Sequence, residues 1–142
     1  MGVKNGVAAL AKPLQISKAV GFDATESMDG RSVLFANPPN PGIWSVSPEG
    51  GQEKTVWNGP GRPGPDLWRN WVPTKSGIYV LSPGHLGPEI EFFNFATRRV
   101  THEARLDRPS FYGLALSPDQ RYLIYSQQDR NDHQILLVED FR

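Results

Sequence analysis

The chain has no cysteine and only two methionines in 142 residues. Without cysteine there is no disulfide framework, no thiolate nucleophile and no Cys-type zinc site, and the redox compartment stays open. Charge of one sign is not in excess either: fifteen Lys and Arg balance fifteen Asp and Glu. No segment gathers its Lys and Arg into a stripe, so the electrostatic footprint of a nucleic-acid binder is missing and no direct nucleic-acid contact is expected. Long apolar runs are absent as well. Val7 to Leu10 is too short for the core of a signal peptide, and nowhere do about eighteen apolar residues run together. The expectation is a chain that does not insert into a membrane, cytoplasmic by default, with a periplasmic setting for a longer parent left open.

Punctuation is what the sequence has in quantity. Thirteen prolines and fourteen glycines accompany four tryptophans, seven phenylalanines and four tyrosines. That mixture suits many short strands with tight turns and aromatic packing between sheets, and it argues against a helical protein.

A repeat of roughly 40 to 45 residues organises these strands. Ser117-Pro118-Asp119-Gln120-Arg121-Tyr122-Leu123-Ile124-Tyr125-Ser126, followed by Ile135-Leu136-Leu137-Val138, has two imperfect copies upstream. One is Ser27-Met28-Asp29-Gly30-Arg31-Ser32-Val33-Leu34-Phe35 with Ile43-Trp44-Ser45-Val46. The other is Thr74-Lys75-Ser76-Gly77-Ile78-Tyr79-Val80-Leu81 with Ile90-Glu91-Phe92-Phe93. Each unit reads strand, Asp/Gly-type turn, strand, loop, strand, the shape of one blade in a radial repeat.

The predicted units span about 22–57, 68–105 and 111–140 within a single domain, 1–142. Strands are expected near Phe22 to Ser27, Ser32 to Asn37, Gly42 to Ser47 and Lys54 to Trp57. In the second unit they fall near Trp68 to Val72, Gly77 to Ser82, Glu89 to Phe95 and Val100 to Ala104. In the third they fall near Gly113 to Ser117, Tyr122 to Gln127 and Gln134 to Glu139. Pro13 to Ser17 reads as an orphan strand before the first unit. The fold class is therefore all-β, a partial β-propeller of about three four-stranded antiparallel blades, with Trp44 and Tyr125 predicted to be buried. Three blades are fewer than the roughly four to eight that close a ring.

The Ser-Pro-Asp-Gln-Arg-Tyr-Leu-Ile-Tyr-Ser pattern at 117–126, with Glu26 to Gly30, Gly42-Ile43-Trp44 and Gly50-Gly51, resembles the TolB-type, WD-repeat-like propellers of bacteria. The ending Ile135 to Arg142 is similar to the C-terminus of propellers attached to winged-helix transcriptional regulators. That resemblance implies the fold and a sensory or regulatory setting. The DNA-binding domain of such regulators has no counterpart here, and Pro73-Thr74-Lys75-Ser76 departs from the family's Ser-Pro-Asp-Gly turn.

In an up-down meander alternate connectors fall on opposite ends, so the tight turns at Asp29-Gly30, Gly50-Gly51, Lys75-Ser76, Ala96-Thr97 and Asp119-Gln120 share one end. The longer connectors share the other, where loops on a rigid scaffold most readily bind. Arg62, Trp68, Arg69, Phe111 and Tyr112 are the candidates for a ligand or partner face there, against the plainer role of packing between blades for Trp68 and Trp71. Asp23 and Glu26 could face the ring axis as acidic groups, or be solvated or salt-bridged. His85, His102 and His133 show no ligand spacing, so neither metal nor other cofactor is expected. Asp29 and Asp119 are expected to bond their own turn backbones. No serine sits in a nucleophile elbow.

The residues favour a non-catalytic module for protein or small-ligand interaction. The alternatives are a propeller enzyme or its accessory domain, lactonase-like or peptidase-gating, and a truncated fragment with no independent function. A homodimer completing a six-bladed ring, with Pro13 to Ser17 of each copy beside Gln134 to Glu139 of the other, would cover the exposed sheet faces of the end blades.

Overall fold

The computed structural model describes residues 3–4, 7–8, 12–18, 20–37, 40–58, 69–110 and 112–130. Among these residues the regular structure is all strand, and every pairing is antiparallel. An N-terminal hairpin joins β1 (Val3–Lys4) to β2 (Val7–Ala8), a pair that no pattern in the sequence announces. The first sheet holds β3 (Phe22–Glu26), β4 (Val33–Ala36), β5 (Ile43–Val46) and β6 (Lys54–Trp57), paired in chain order. The middle sheet repeats that meander with β7 (Trp71–Pro73), β8 (Gly77–Ser82), β9 (Glu89–Asn94) and β10 (Val100–Arg105). The third has β11 (Leu114–Leu116) paired with β12 (Leu123–Tyr125), while the expected strand at Gln134 to Glu139 lies outside the described residues.

Turn chemistry sets the hairpins. Ser27 Oγ accepts the Ser32 amide (3.0 Å) and donates to Asp29 Oδ1 (2.7 Å), which also takes the Arg31 amide (3.1 Å). Ser117 and Asp119 repeat the arrangement: Ser117 Oγ takes the Tyr122 amide (2.9 Å) and donates to Asp119 Oδ1 (2.6 Å), with the Arg121 amide on Asp119 (3.2 Å). Gly30 and Gln120 each supply the positive φ that closes such a turn. The middle sheet does the same work without a carboxylate. Thr74 Oγ1 accepts the Ser76 and Gly77 amides at 3.1 and 3.0 Å. Gly77 itself must lack a side chain, because a methyl there would stand 2.1 Å from the Phe93 carbonyl oxygen and 2.4 Å from the Phe92 ring.

Two apolar clusters join the sheets face to face. Leu34, Ile43 and Trp57 of the first sheet pack against Trp71, Ile78, Val80 and Phe93 of the middle one. The Trp57 and Phe93 rings lie parallel within 1°, centroids 4.6 Å apart. Leu81, Ile90 and Leu106 then meet Leu114, with Val72, Tyr79 and Leu123 at the margin. Trp71 thus packs between sheets, as one reading of the sequence had it, whereas Trp68 lies outside the described residues.

Three expectations are corrected. Pro13 to Ser17 forms no strand. Proline lacks the N–H a ladder requires, and the segment instead follows the β5–β6 turn: the Lys18 amide donates to Glu53 Oε1 (2.7 Å), and a methyl on Gly50 would lie 3.7 Å from Ile16 Cα. Trp44 is half-buried with its indole N–H on the Asn40 carbonyl (3.0 Å), and Tyr125 is 36% exposed. Trp44 stands on a row that points away from the inter-sheet cluster, whereas Tyr125 pairs with Leu114 on the inward row of the third sheet and is exposed all the same. The outward face of the first sheet is not bare either, since Phe35 and Val46 are buried there and Gly21 lies against the Phe35 ring.

Candidate functional site

The first strands of the three sheets, β3, β7 and β11, converge on an open cleft of about 590 Å³ lined by Asp23 to Thr25, Arg69, Trp71 to Pro73 and Gly113 to Leu116. Just where each of these strands begins, the backbone turns through positive φ, at Asp23 (53°), Arg69 (55°) and Gly113 (99°). A positive φ at a non-glycine residue costs backbone energy and persists only where neighbours hold it. Here the neighbours are the adjacent sheets. Asp23 Oδ2 accepts the Arg69 amide (2.7 Å), and Asn70 Oδ1 accepts the Gly113 amide (3.1 Å). The Arg69 carbonyl in turn takes the Leu114 amide at 2.8 Å.

Of the residues singled out from sequence, Arg69 lines this cleft and its side chain is exposed. Tyr112 is 61% exposed beside Gly113, its carbonyl accepting the Ser126 hydroxyl. Arg62, Trp68 and Phe111 lie outside the described residues. Asp23 is the acidic residue of the lining, and its carboxylate is already committed to the Arg69 amide. Glu26 sits at the opposite end of β3, its carboxylate beside Gly30. Among the described residues no three His, Asp or Glu side chains gather as a metal site. His102 instead faces Glu89 across β9 and β10 (3.7 Å), whose other oxygen binds Arg105 (3.0 Å).

A second open cleft, about 630 Å³, separates the first and middle sheets at the tight-turn end. Its floor is Met28, Leu34, Val56, Pro73 and Phe95, and its rim carries Lys54, Lys75, Arg98 and Asp29. Pairing across β4, β5 and β6 sets Leu34, Ser45 and Lys54 in one row, so the lysine shares the face that meets the middle sheet. The Asp29 carboxyl is held below its usual range by the Ser27 hydroxyl first and the Arg31 amide second. Sequence reasoning passed over these cations because they meet only when two sheets are stacked. Asn70 was missed too, although its position one residue after Arg69 repeats the Asp23 arrangement one sheet later.

Comparison with known protein families, with curated proteins and with solved structures finds no match. Among the described residues no helix is long and apolar enough to cross a membrane.

Proposed function

We propose that the chain is a non-catalytic β-propeller module that binds a small ligand or a protein at the mouth of the ring axis, around Arg69 and Tyr112. The observation that carries this reading is the repeated hand-over at the first strands. Each sheet offers a side-chain oxygen to the first-strand amide of the next, Asp23 to Arg69 and Asn70 to Gly113, at separations of 46 and 43 residues. Face-to-face stacking of successive meanders around first strands that converge on one cleft is how blades pack around an axis. A TolB-like regulatory propeller is the family whose turn pattern fits. Against a lactonase-like or peptidase-gating role stands the chemistry of the cleft: among the described residues its lining carboxylate is Asp23, which accepts a backbone amide, whereas acid-base or metal chemistry needs several convergent groups.

The test is a thermal-shift and calorimetric survey of small metabolites and peptides, run beside lactone, ester and peptide hydrolysis with and without divalent metal. Binding lost in Arg69→Ala without turnover is the expected outcome. Hydrolysis abolished by Asp23→Asn would overturn the reading.

The third sheet favours self-association. Tyr122 (61% exposed) and Ile124 (57%) share its outward face with Ala115, an apolar surface of the kind that a second copy covers. A homodimer forming a six-bladed ring meets that need. It does not use Pro13 to Ser17 as an exchanged strand, because that segment follows the first sheet. Sedimentation of Ile124→Glu as monomer and of the parent as dimer is expected; a monomeric parent at micromolar concentration rules the dimer out.

A further inference from the structure

The inter-sheet cleft at the tight-turn end has a chemistry distinct from the axial one. Its floor is apolar, its volume of about 630 Å³ is within the range of small-molecule sites, and its cations outnumber its carboxylates. No ion pair among the described residues engages Lys54, Lys75 or Arg98. Asp29, the carboxylate at the rim, is occupied by the Ser27 hydroxyl and the Arg31 amide. Arg98 is held in place: it sits at positive φ (58°) in the β9–β10 turn, and its guanidinium lies 4.9 Å from the centroid of the Phe93 ring. Ser32, Ser45 and Thr55 complete its lining.

We propose that this cleft binds an organic anion with an apolar body, an aryl or alkyl carboxylate. The body lies on Leu34, Val56 and Phe95, and the carboxylate meets the ammonium groups of Lys54 and Lys75, with Arg98 closing the far side. Low-dielectric walls strengthen such an attraction relative to open water. Neither ring closure nor the axial cleft enters this assignment.

The experiment is calorimetric titration of the full chain with 2-naphthoate and, separately, with the neutral 2-naphthalenemethanol. The parent is expected to bind naphthoate roughly tenfold more tightly than the alcohol. That preference should shrink severalfold as ionic strength rises from about 0.02 M to about 0.5 M, where screening shortens to a few ångströms. Lys54→Met/Lys75→Met should lose the preference and keep the alcohol's affinity; Lys12→Met should change neither. Lys75→Met alone, in an exposed turn that keeps its Thr74 bonds, guards against a folding defect in the double variant and should lose about half the preference on a logarithmic scale. Equal binding of the two probes, a double variant that binds naphthoate like the parent, or no binding of naphthoate at millimolar concentration would each overturn the assignment.

Discussion

Replacing Trp57 by alanine is expected to remove about 4 kcal/mol of folding stability, the middle of the range for aromatic truncations in cores. Trp57 is 2% exposed and its indole covers the Phe93 ring at 4.6 Å with the planes parallel. An indole that buries roughly 200 Å² at about 25 cal/mol per Å² is worth about 5 kcal/mol of transfer. Alanine retains a small part of that area, and a compact unfolded chain lowers the figure by roughly 10–40%. Loss of the stacked pair adds back about 1 kcal/mol. With a urea dependence of about 2 kcal/mol per molar, the midpoint falls by about 2 M. Circular dichroism reads the transition without depending on the other tryptophans. Tyr125→Ala serves as the contrast: at 36% exposure it should cost about 1 kcal/mol or less. A Trp57→Ala midpoint within about 0.5 M of the parent, or a Tyr125→Ala variant as weak as Trp57→Ala, would refute the inter-sheet core as the main source of stability.

Gly77→Ala should cost about 1–3 kcal/mol in the same melts, because its methyl meets the Phe93 carbonyl and the Phe92 ring; an unchanged midpoint would contradict the β8–β9 register. Thr74→Val keeps the shape but leaves the Ser76 and Gly77 amides without their acceptor, with an expected loss of about 1–3 kcal/mol; Thr74→Ser should restore most of it. The Asp29 and Asp119 carboxyls are held below their usual range by the Ser27 and Ser117 hydroxyls and then by the Arg31 and Arg121 amides. A depressed folded value means that the contribution is present above about pH 4 and is lost as pH falls through the folded values. Asp29→Asn/Asp119→Asn should therefore melt with a shallower pH dependence below about pH 4 than the parent, and identical slopes would remove these turns from the acid response. Asp23→Ala should speed hydrogen exchange at the Arg69 amide while Asp23→Asn, which keeps an acceptor, should not; equal protection in all three proteins would detach Asp23 from that amide.

The turns and strands were legible in the sequence because their causes are local. Ser27-Met28-Asp29-Gly30 and Ser117-Pro118-Asp119-Gln120 carry their own hydrogen-bonding partners, and β6 and β8 fall on the bounds that alternation and turn residues suggest. Alternation alone does not say which face another sheet will cover. The row Leu34, Ser45, Lys54 faces the middle sheet while Phe35, Trp44, Thr55 faces away, and both rows hold bulky apolar groups. Hence size alone misplaces Trp44, which stands on the outward row, and Tyr125, which shares the inward row of Leu114 yet stays exposed. Leu14 and Ile16 alternate like a strand, but no feature of that segment reveals that the distant Glu53 will hold its backbone. The Lys54, Lys75 and Arg98 rim was hidden for the same reason, since its members come from a strand of one sheet and two turns of the next.

The hand-over between sheets also gives assembly a direction in time. In both links the acceptor precedes its donor along the chain, Asp23 before Arg69 by 46 residues and Asn70 before Gly113 by 43. A ribosome adding about 10 residues per second delivers each donor roughly four seconds after its acceptor, long enough for microsecond hairpins to form first. Every new sheet therefore docks on a finished one and inherits its starting register from it. A nascent chain that has emerged from the ribosome through Trp57 would already hold all four strands of the first sheet, with the Asp23 carboxylate positioned for the Arg69 amide still to emerge. The same residues placed in a permuted chain, with donors made first, would have to hold Arg69 at its unfavourable positive φ before the carboxylate that stabilises it existed.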